Sequence, residues 1–267
     1  MPYEGELAVA LEAAEAAGRL ILDRYSRFVA IPAAPSTIST DADRESQELI
    51  LQTIGVRFPG DALCAEEDTP TLATAVRNGP RLWIVDPIDG TAGFARKNGE
   101  FSVMIAFIEK GEMKVGVVLK PVDWVCTFAR TGAGCWRYRG ADGEPAPCYV
   151  GTATEMEGAT VTQSRSKTAK ASPVVAKLNP AKVLETYSAG LKLAQVASGE
   201  ADVYANIYPQ FNDWDVCAGH ILVEEAGGKV TTLAGDTIQY GKDGFRQRGG
   251  LLATNGILHE RVIELLK

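Results

Sequence analysis

The chain has 267 residues, 46% hydrophobic and 23% charged, the proportions of an ordinary globular protein rather than a disordered or fibrous one. Its 27 Lys and Arg against 34 Asp and Glu leave a formal charge of −7; without a basic run to neutralise a row of phosphates, a polymeric nucleic acid is an unsuitable partner, whereas a small phosphorylated metabolite fits if a divalent cation supplies local positive charge. No apolar stretch approaches the ~20 residues of a membrane span and residues 1–10 lack a signal-peptide pattern, so the expectation is a cytoplasmic protein with no membrane partner.

From Glu4 to Tyr25, Leu7, Leu11, Ala14, Gly18, Ile21 and Leu22 recur at helical spacing and predict an amphipathic helix. Pro32 and Pro35 break it, Thr40 or Asp41 offers an N-cap, and Leu49, Ile50 and Ile54 carry a second helix to Pro59. Beyond Gly60 short apolar runs predict strands over 62–65, 82–85, 102–108, 114–119 and 124–129, with a hairpin turn at 109–112 that makes part of the sheet antiparallel. Residues 142–147, with one glycine and two prolines, are the best linker candidate. After it strands over 160–163, 183–186 and 201–206 alternate with helices over about 168–178, 190–198 and 215–226, and a strand at 251–254 and a helix at 258–266 close the chain. The expectation is an α+β or layered α/β fold, with an N-terminal half over 1–147 and a C-terminal α/β half over 148–267.

Cys64, Cys126, Cys135, Cys148 and Cys217 are odd in number and contain no Cys-x-x-Cys pair, so they read as core residues rather than a disulfide framework or zinc ribbon. With only His220 and His259, a three-histidine metal site is excluded. His220 reads as a packing or surface residue and His259 as an inert member of the last helix. Gly132-Ala133-Gly134 lacks the rest of a dinucleotide fingerprint, and neither a Walker loop nor a Gly-x-Ser-x-Gly elbow occurs.

The chemistry concentrates in acids at element ends. In Trp83-Ile84-Val85-Asp86-Pro87-Ile88-Asp89-Gly90-Thr91 a buried strand delivers Asp86, Asp89 follows three residues on, and Gly90 and Thr91 can expose N–H groups. Carboxylates beside free N–H groups suit a hard cation and a phosphate together. Glu66 and Glu67 end another strand, Asp215 opens a predicted helix and Asp43 opens the second helix. Each also has an ordinary explanation, as a surface turn, a solvated acidic loop or a helix cap.

Asp86-Pro-Ile-Asp-Gly-Thr91, the upstream Glu66-Glu67, Trp214-Asp215-x-x-Ala218-Gly219 and Glu225-Ala-Gly-Gly228 resemble the signatures of the lithium-sensitive, Mg2+-dependent inositol monophosphatase superfamily. The likeness runs from the first helix to Thr254-Asn255-Gly256. Residues 96–103, Ser164-Arg165-Ser166 and Leu191-Lys192 are similar to its 3'(2'),5'-bisphosphate nucleotidase branch. The resemblance implies two or three Mg2+ ions per site: Glu66, Asp86 and the Ile88 carbonyl on one, Asp86, Asp89 and Asp215 on the second. It further implies a water oriented by Thr91 with Asp43 behind it, substrate contacts from Asp89, Gly90, Thr91 and Lys192, and a homodimer. Asp86 is also the acid best placed to bridge two ions around one phosphate. A solvent-facing helix lysine is the competing account of Lys192.

Three departures stand out. Residues 30–40 lack the family's Ser-Pro-Val-Thr segment, Ala92-Gly93 replaces the Lys-Glu common after this motif in bacterial nucleotidases, and Tyr204-Ala205-Asn206 stands where that branch has a basic segment. The expected activity is hydrolysis of a small phosphate ester, with adenosine 3',5'-bisphosphate the leading substrate and inositol 1-phosphate or another sugar phosphate second. A noncatalytic metal- or phosphate-binding protein is the remaining alternative.

Overall fold

The computed structural model describes residues 2–165, 172–242 and 244–267. In chain order the elements are α1 (Glu4–Arg27), α2 (Asp41–Arg57), β1 (Ala62–Ala65), α3 (Pro70–Thr74), β2 (Arg81–Asp89), α4 (Thr91–Ala95), β3 (Ser102–Glu109), β4 (Glu112–Lys120), β5 (Val125–Arg130), β6 (Cys135–Arg139) and β7 (Ala146–Cys148). They continue with β8 (Thr160–Gln163), α5 (Pro173–Leu178), β9 (Lys182–Glu185), α6 (Ala189–Ala197), β10 (Val203–Asn206), β11 (Gln210–Asn212), α7 (Cys217–Glu225), β12 (Lys229–Thr231), β13 (Arg246–Arg248), β14 (Leu251–Thr254) and α8 (His259–Leu266).

The larger sheet has seven strands in sequential order, β1 to β7. Only β1 and β2 are parallel; the later neighbours are antiparallel. Strand β2 is apolar on both faces because both are covered: Trp83 and Val85 join the core under α1 and α2, while Leu82 and Ile84 join the core under α6 and α7. The second sheet, ordered β12-β14-β10-β8-β9, lies beyond α6 and α7, with α5 and α8 on its outer side. The layers therefore run helix, sheet, helix, sheet, helix, which is the layered architecture expected from the sequence. Among the described residues no helix is long and apolar enough to cross a membrane.

Several expected elements shift. The buried face of α1 is Val9, Ala10, Ala13, Ala14, Ala17, Gly18 and Ile21, while Leu7, Leu11 and Leu22 lie half-buried beside it. Small side chains on the contact face bring the helix close to the sheet. Residues 146–147, expected in a linker, belong to β7 and pair with Arg137 and Trp136; Pro147 is tolerated because β7 is the sheet edge. The helix expected over about 168–178 occupies Pro173–Leu178 with Ser172 as its N-cap, and residues 168–171, with Ser166, lie outside the described residues. All five cysteines are buried free thiols.

Candidate active site

Asp86 and Asp89 lie at the end of β2, where the ladder with β3 shifts register. Asp86 faces Met104 and Asp89 faces Ser102, so two residues, Pro87 and Ile88, bulge opposite one. Proline cannot donate to the ladder, and the bulge turns the Ile88 carbonyl towards Thr91, whose Oγ1 lies 2.9 Å away. Gly90 then takes φ of 88°, and α4 begins. A Cβ at Gly90 would stand 2.8 Å from the Glu100 carbonyl oxygen, so glycine serves both the backbone angle and the close approach.

Asp43 is buried on α2. Its Oδ2 accepts from the Thr40 N–H (2.9 Å) and hydroxyl (2.6 Å), and Thr91 Oγ1 stands 2.9 Å from its Oδ1. Thr40 is thus the N-cap, and Asp43 is the N3 member of a capping box that also reaches the active loop. Burial pushes the Asp43 carboxyl up to about 6, against the opposing effect of the threonine hydrogen bonds.

Four further acids converge. Asp86 is 2% exposed and raised well above the carboxylate range, first by burial and then by the charges of Glu66, Asp89 and Asp215. Its Oδ1 is buried with no hydrogen-bond partner. Glu66 is exposed as a residue, yet its carboxyl turns to Asp86; withdrawal from water and then the Asp215 charge push it up to about 8. Asp215, its Oδ2 accepting from the Asn212 N–H at 2.6 Å, is pushed up to about 7 by burial, then by Asp89 and Asp213. It ends a short 3-10 turn over Asp213–Asp215 rather than opening α7, which starts at Cys217.

Asp89 is tied to α6. Its Oδ1 accepts from the Ala189 N–H (3.1 Å), and its Oδ2 accepts from the Gly190 N–H (2.7 Å) and the Ser188 hydroxyl. A carboxylate offers about four lone-pair positions, so Oδ1 keeps the clearest remaining acceptor capacity. Burial raises its pKa against those bonds and the nearby Lys192 charge.

Lys192 is 1% exposed, which excludes the solvent-facing account. Its three ammonium donors have three protein acceptors: the Ser164 hydroxyl at 3.1 Å and the Thr186 and Tyr187 carbonyls at 3.3 Å each. Burial draws its pKa down to about 8.

Supporting residues had no motif to announce them. Gln47 clamps the acidic loop, donating to the Glu67 carbonyl at 2.5 Å and accepting from the Glu67 N–H at 2.7 Å. The signal was available: Asp43, Gln47, Ile50 and Ile54 fall on one buried stripe of α2. Ser188 was equally silent. The departing 30–40 segment is pinned across α4 by the Ile31 N–H on the Ala95 carbonyl at 2.8 Å and by Arg96 on the Ala34 carbonyl at 2.5 Å. Ser39 reaches Glu67 at 2.7 Å.

Among the described residues no three acidic, cysteine or histidine side chains are, as they stand, grouped closely enough to hold a metal ion. The donor set nonetheless fits a hard divalent cation: only oxygen ligands, mutually repelling carboxylates and one orphaned buried oxygen on the most central of them.

A sequence model of the inositol monophosphatase family matches residues 3–267. The chain belongs to the inositol monophosphatase family. It is 33% identical to a histidinol-phosphatase of Mycobacterium tuberculosis over 98% of this chain and 97% of that protein. It is 35% identical to a 3'(2'),5'-bisphosphate nucleotidase of Salmonella typhimurium over 75% of this chain and 78% of that one. An inositol monophosphatase structure from Thermotoga maritima superposes with a TM-score of 0.81 at 27% identity, covering 98% and 96% of the two chains. The chain is therefore a phosphatase, a hydrolase of phosphoric monoesters, in a family that generally depends on Mg2+ and is lithium-sensitive.

Proposed function

We propose that this phosphatase hydrolyses a monophosphate ester of a small alcohol, of the inositol 1-phosphate or histidinol phosphate type, at the Asp86 centre. The observation that carries the reading is the gathering of Glu66, Asp86, Asp89 and Asp215, with Asp86 Oδ1 buried and unpartnered. Glu66, Asp86 and the Ile88 carbonyl would hold one Mg2+, and Asp86, Asp89 and Asp215 a second. Bound Mg2+ supplies Lewis-acid stabilisation of the attacking and leaving oxygens in an in-line displacement.

The chain's own residues supply the rest. With Oγ1 2.9 Å from Asp43 Oδ1, Thr91 can direct its proton to that carboxylate and use its remaining lone pairs to orient the attacking water. The N–H groups of Gly90 and Thr91, at the start of α4, would donate to the phosphate oxygens of a bound ester. The N–H groups and hydroxyls that donate to Asp43 and Asp89 fix both carboxylates before substrate arrives.

Lys192 separates the substrate classes. Its donors are committed to the protein and Arg165 is paired with Glu100, so a second phosphate would have to displace existing bonds. Adenosine 3',5'-bisphosphate is the second reading, favoured by the nucleotidase relative and by the position of Lys192 beside Asp89. The test is phosphate release with Mg2+ from inositol 1-phosphate, histidinol phosphate, fructose 1,6-bisphosphate and adenosine 3',5'-bisphosphate, each with and without Li+. Higher kcat/KM for a monophosphate supports the first reading, and preference for the nucleotide transfers the assignment to the second. Absence of release from all four would overturn both.

A further inference from the structure

Strands β6 and β7 place two cysteines opposite each other. Cys135 pairs with Cys148, Trp136 with Pro147 and Arg137 with Ala146 in antiparallel register. Pro147 has no N–H, so its pair occupies the non-hydrogen-bonded position and Cys135–Cys148 the hydrogen-bonded one, where Cα atoms are about 5.5 Å apart. Directly opposed residues share a sheet face, and this spacing lies inside the roughly 4.4–6.8 Å range of disulfides. The two thiols are near enough to perturb each other, Cys135 being raised and Cys148 lowered chiefly by their mutual interaction.

We propose that Cys135 and Cys148 are an oxidisable dithiol that closes into a cross-strand disulfide when a peroxide reaches the edge of the larger sheet. Strand β7 is three residues long, forms the sheet edge and contains a residue that cannot donate to the ladder. Such a strand opens locally at low cost. Cys148 is 7% exposed against 1% for Cys135, and the neighbouring Cys135 first, then the Arg137 guanidinium, lower its pKa against the effect of burial, so Cys148 is the first thiol to react. Cys148 sulfur attacks one peroxide oxygen; the O–O bond breaks, an S–OH bond forms and one water leaves. Cys135 sulfur then attacks Cys148 sulfur, the S–O bond breaks, and the hydroxyl departs with the Cys135 proton as a second water. The thiols lose two electrons and two protons, and the peroxide becomes two waters.

The consequence is structural. Immediately after Cys148 the chain turns towards the second half, where the Val150 N–H donates to the Ala226 carbonyl at 3.2 Å. A covalent bond at Cys148 therefore fastens the connection between the halves to β6, and oxidation tightens it.

The experiment treats the native full-length protein with a hydrogen peroxide series, then counts thiols after denaturation and maps peptides without reduction. The expected result is a fall from five thiols to three, a Cys135–Cys148 peptide that dithiothreitol releases, and a Tm higher by on the order of 5 °C. Cys148→Ser should retain all its remaining thiols under the same treatment. Five persisting thiols in the wild type, a Cys64–Cys217 link, or pairing only between molecules would overturn the proposal. The wild-type peptide map decides even if the variant fails to fold.

Discussion

At Asp86, repulsion and function pull in opposite directions. Its carboxylate is buried against three other acids with one oxygen unsatisfied, a costly arrangement for the protein alone. Asp86→Asn removes a repelling charge while keeping the shape. Turnover should fall by on the order of 10^3-fold or more, about 4 kcal/mol of transition-state stabilisation, while the metal-free Tm stays level or rises. Mg2+ at roughly a hundred times its Kd should stabilise the wild type by about 2.7 kcal/mol, and the variant should lose most of this shift. Steady-state kinetics and thermal melts with Mg2+ or chelator check both; near-wild-type turnover would refute the central role. Thr91→Val leaves Asp43 Oδ1 and the Ile88 carbonyl without their shared hydroxyl, at about 1–3 kcal/mol of stability. It should also cost on the order of 10^2-fold or more in kcat, whereas Thr91→Ser should keep most of the rate. Equal losses in Ser and Val would assign Thr91 a packing role. The acids were legible because turn residues expose them at strand ends in an unusual string. Gln47 was legible only as a polar member of the buried stripe of α2; Ser188 and Ser102 were not, since a lone polar residue carries no periodic or motif signal until the fold supplies its partner.

Elements hold these residues through close backbone approaches. Helix α4 sits so near the Glu100 turn that a Cβ on Gly93 would stand 2.4 Å from the Glu100 carbonyl oxygen. That contact explains one departure from the bacterial nucleotidases: a glutamate at this position requires the backbone to move. Gly93→Ala should cost about 1–3 kcal/mol as overpacking against unyielding backbone. Because α4 starts at Thr91, it should also lower kcat more than it raises KM. Chemical denaturation and kinetics measure the two effects, and an unchanged midpoint would mean that the turn yields freely. The long helices and central strands were legible from their spacing. Strand β7 was not, because its proline and flanking glycine read as a linker; pairing with β6 overrode that local signal. The contact face of α1 was legible in part: Ala14, Gly18 and Ile21 lie on it, whereas Leu7, Leu11 and Leu22 stand half-buried beside it, and Val9, Ala10, Ala13 and Ala17 complete it.

Across the whole molecule the layers depend on polar joints as well as apolar cores. His259 is 1% exposed at the start of α8; its Nδ1 lies 2.9 Å from the Thr254 hydroxyl on β14 and its Nε2 2.9 Å from the Thr231 hydroxyl on β12. Sequence position alone made it inert, because neither hydroxyl is near it in pattern. Burial, then the Lys229 charge, draws its pKa down to about 4, against the opposing effect of Glu260. The imidazole therefore stays neutral in the folded protein at pH values where it charges in the unfolded chain. Its contribution is fully present above the unfolded pKa of about 6.5 and is lost progressively as pH falls through about 4. The ceiling is about 3 kcal/mol, from roughly 2.5 pKa units at about 1.36 kcal/mol each. His259→Gln keeps a donor and an acceptor but cannot take up the proton. Carboxylates elsewhere titrate in both proteins, so the decisive quantity is the difference in unfolding free energy between wild type and variant. That advantage of the wild type should shrink as pH is lowered from 7 to 4. A constant difference across this range would mean that His259 binds its proton equally well in both states, and that the joint between α8 and the second sheet survives acid unchanged.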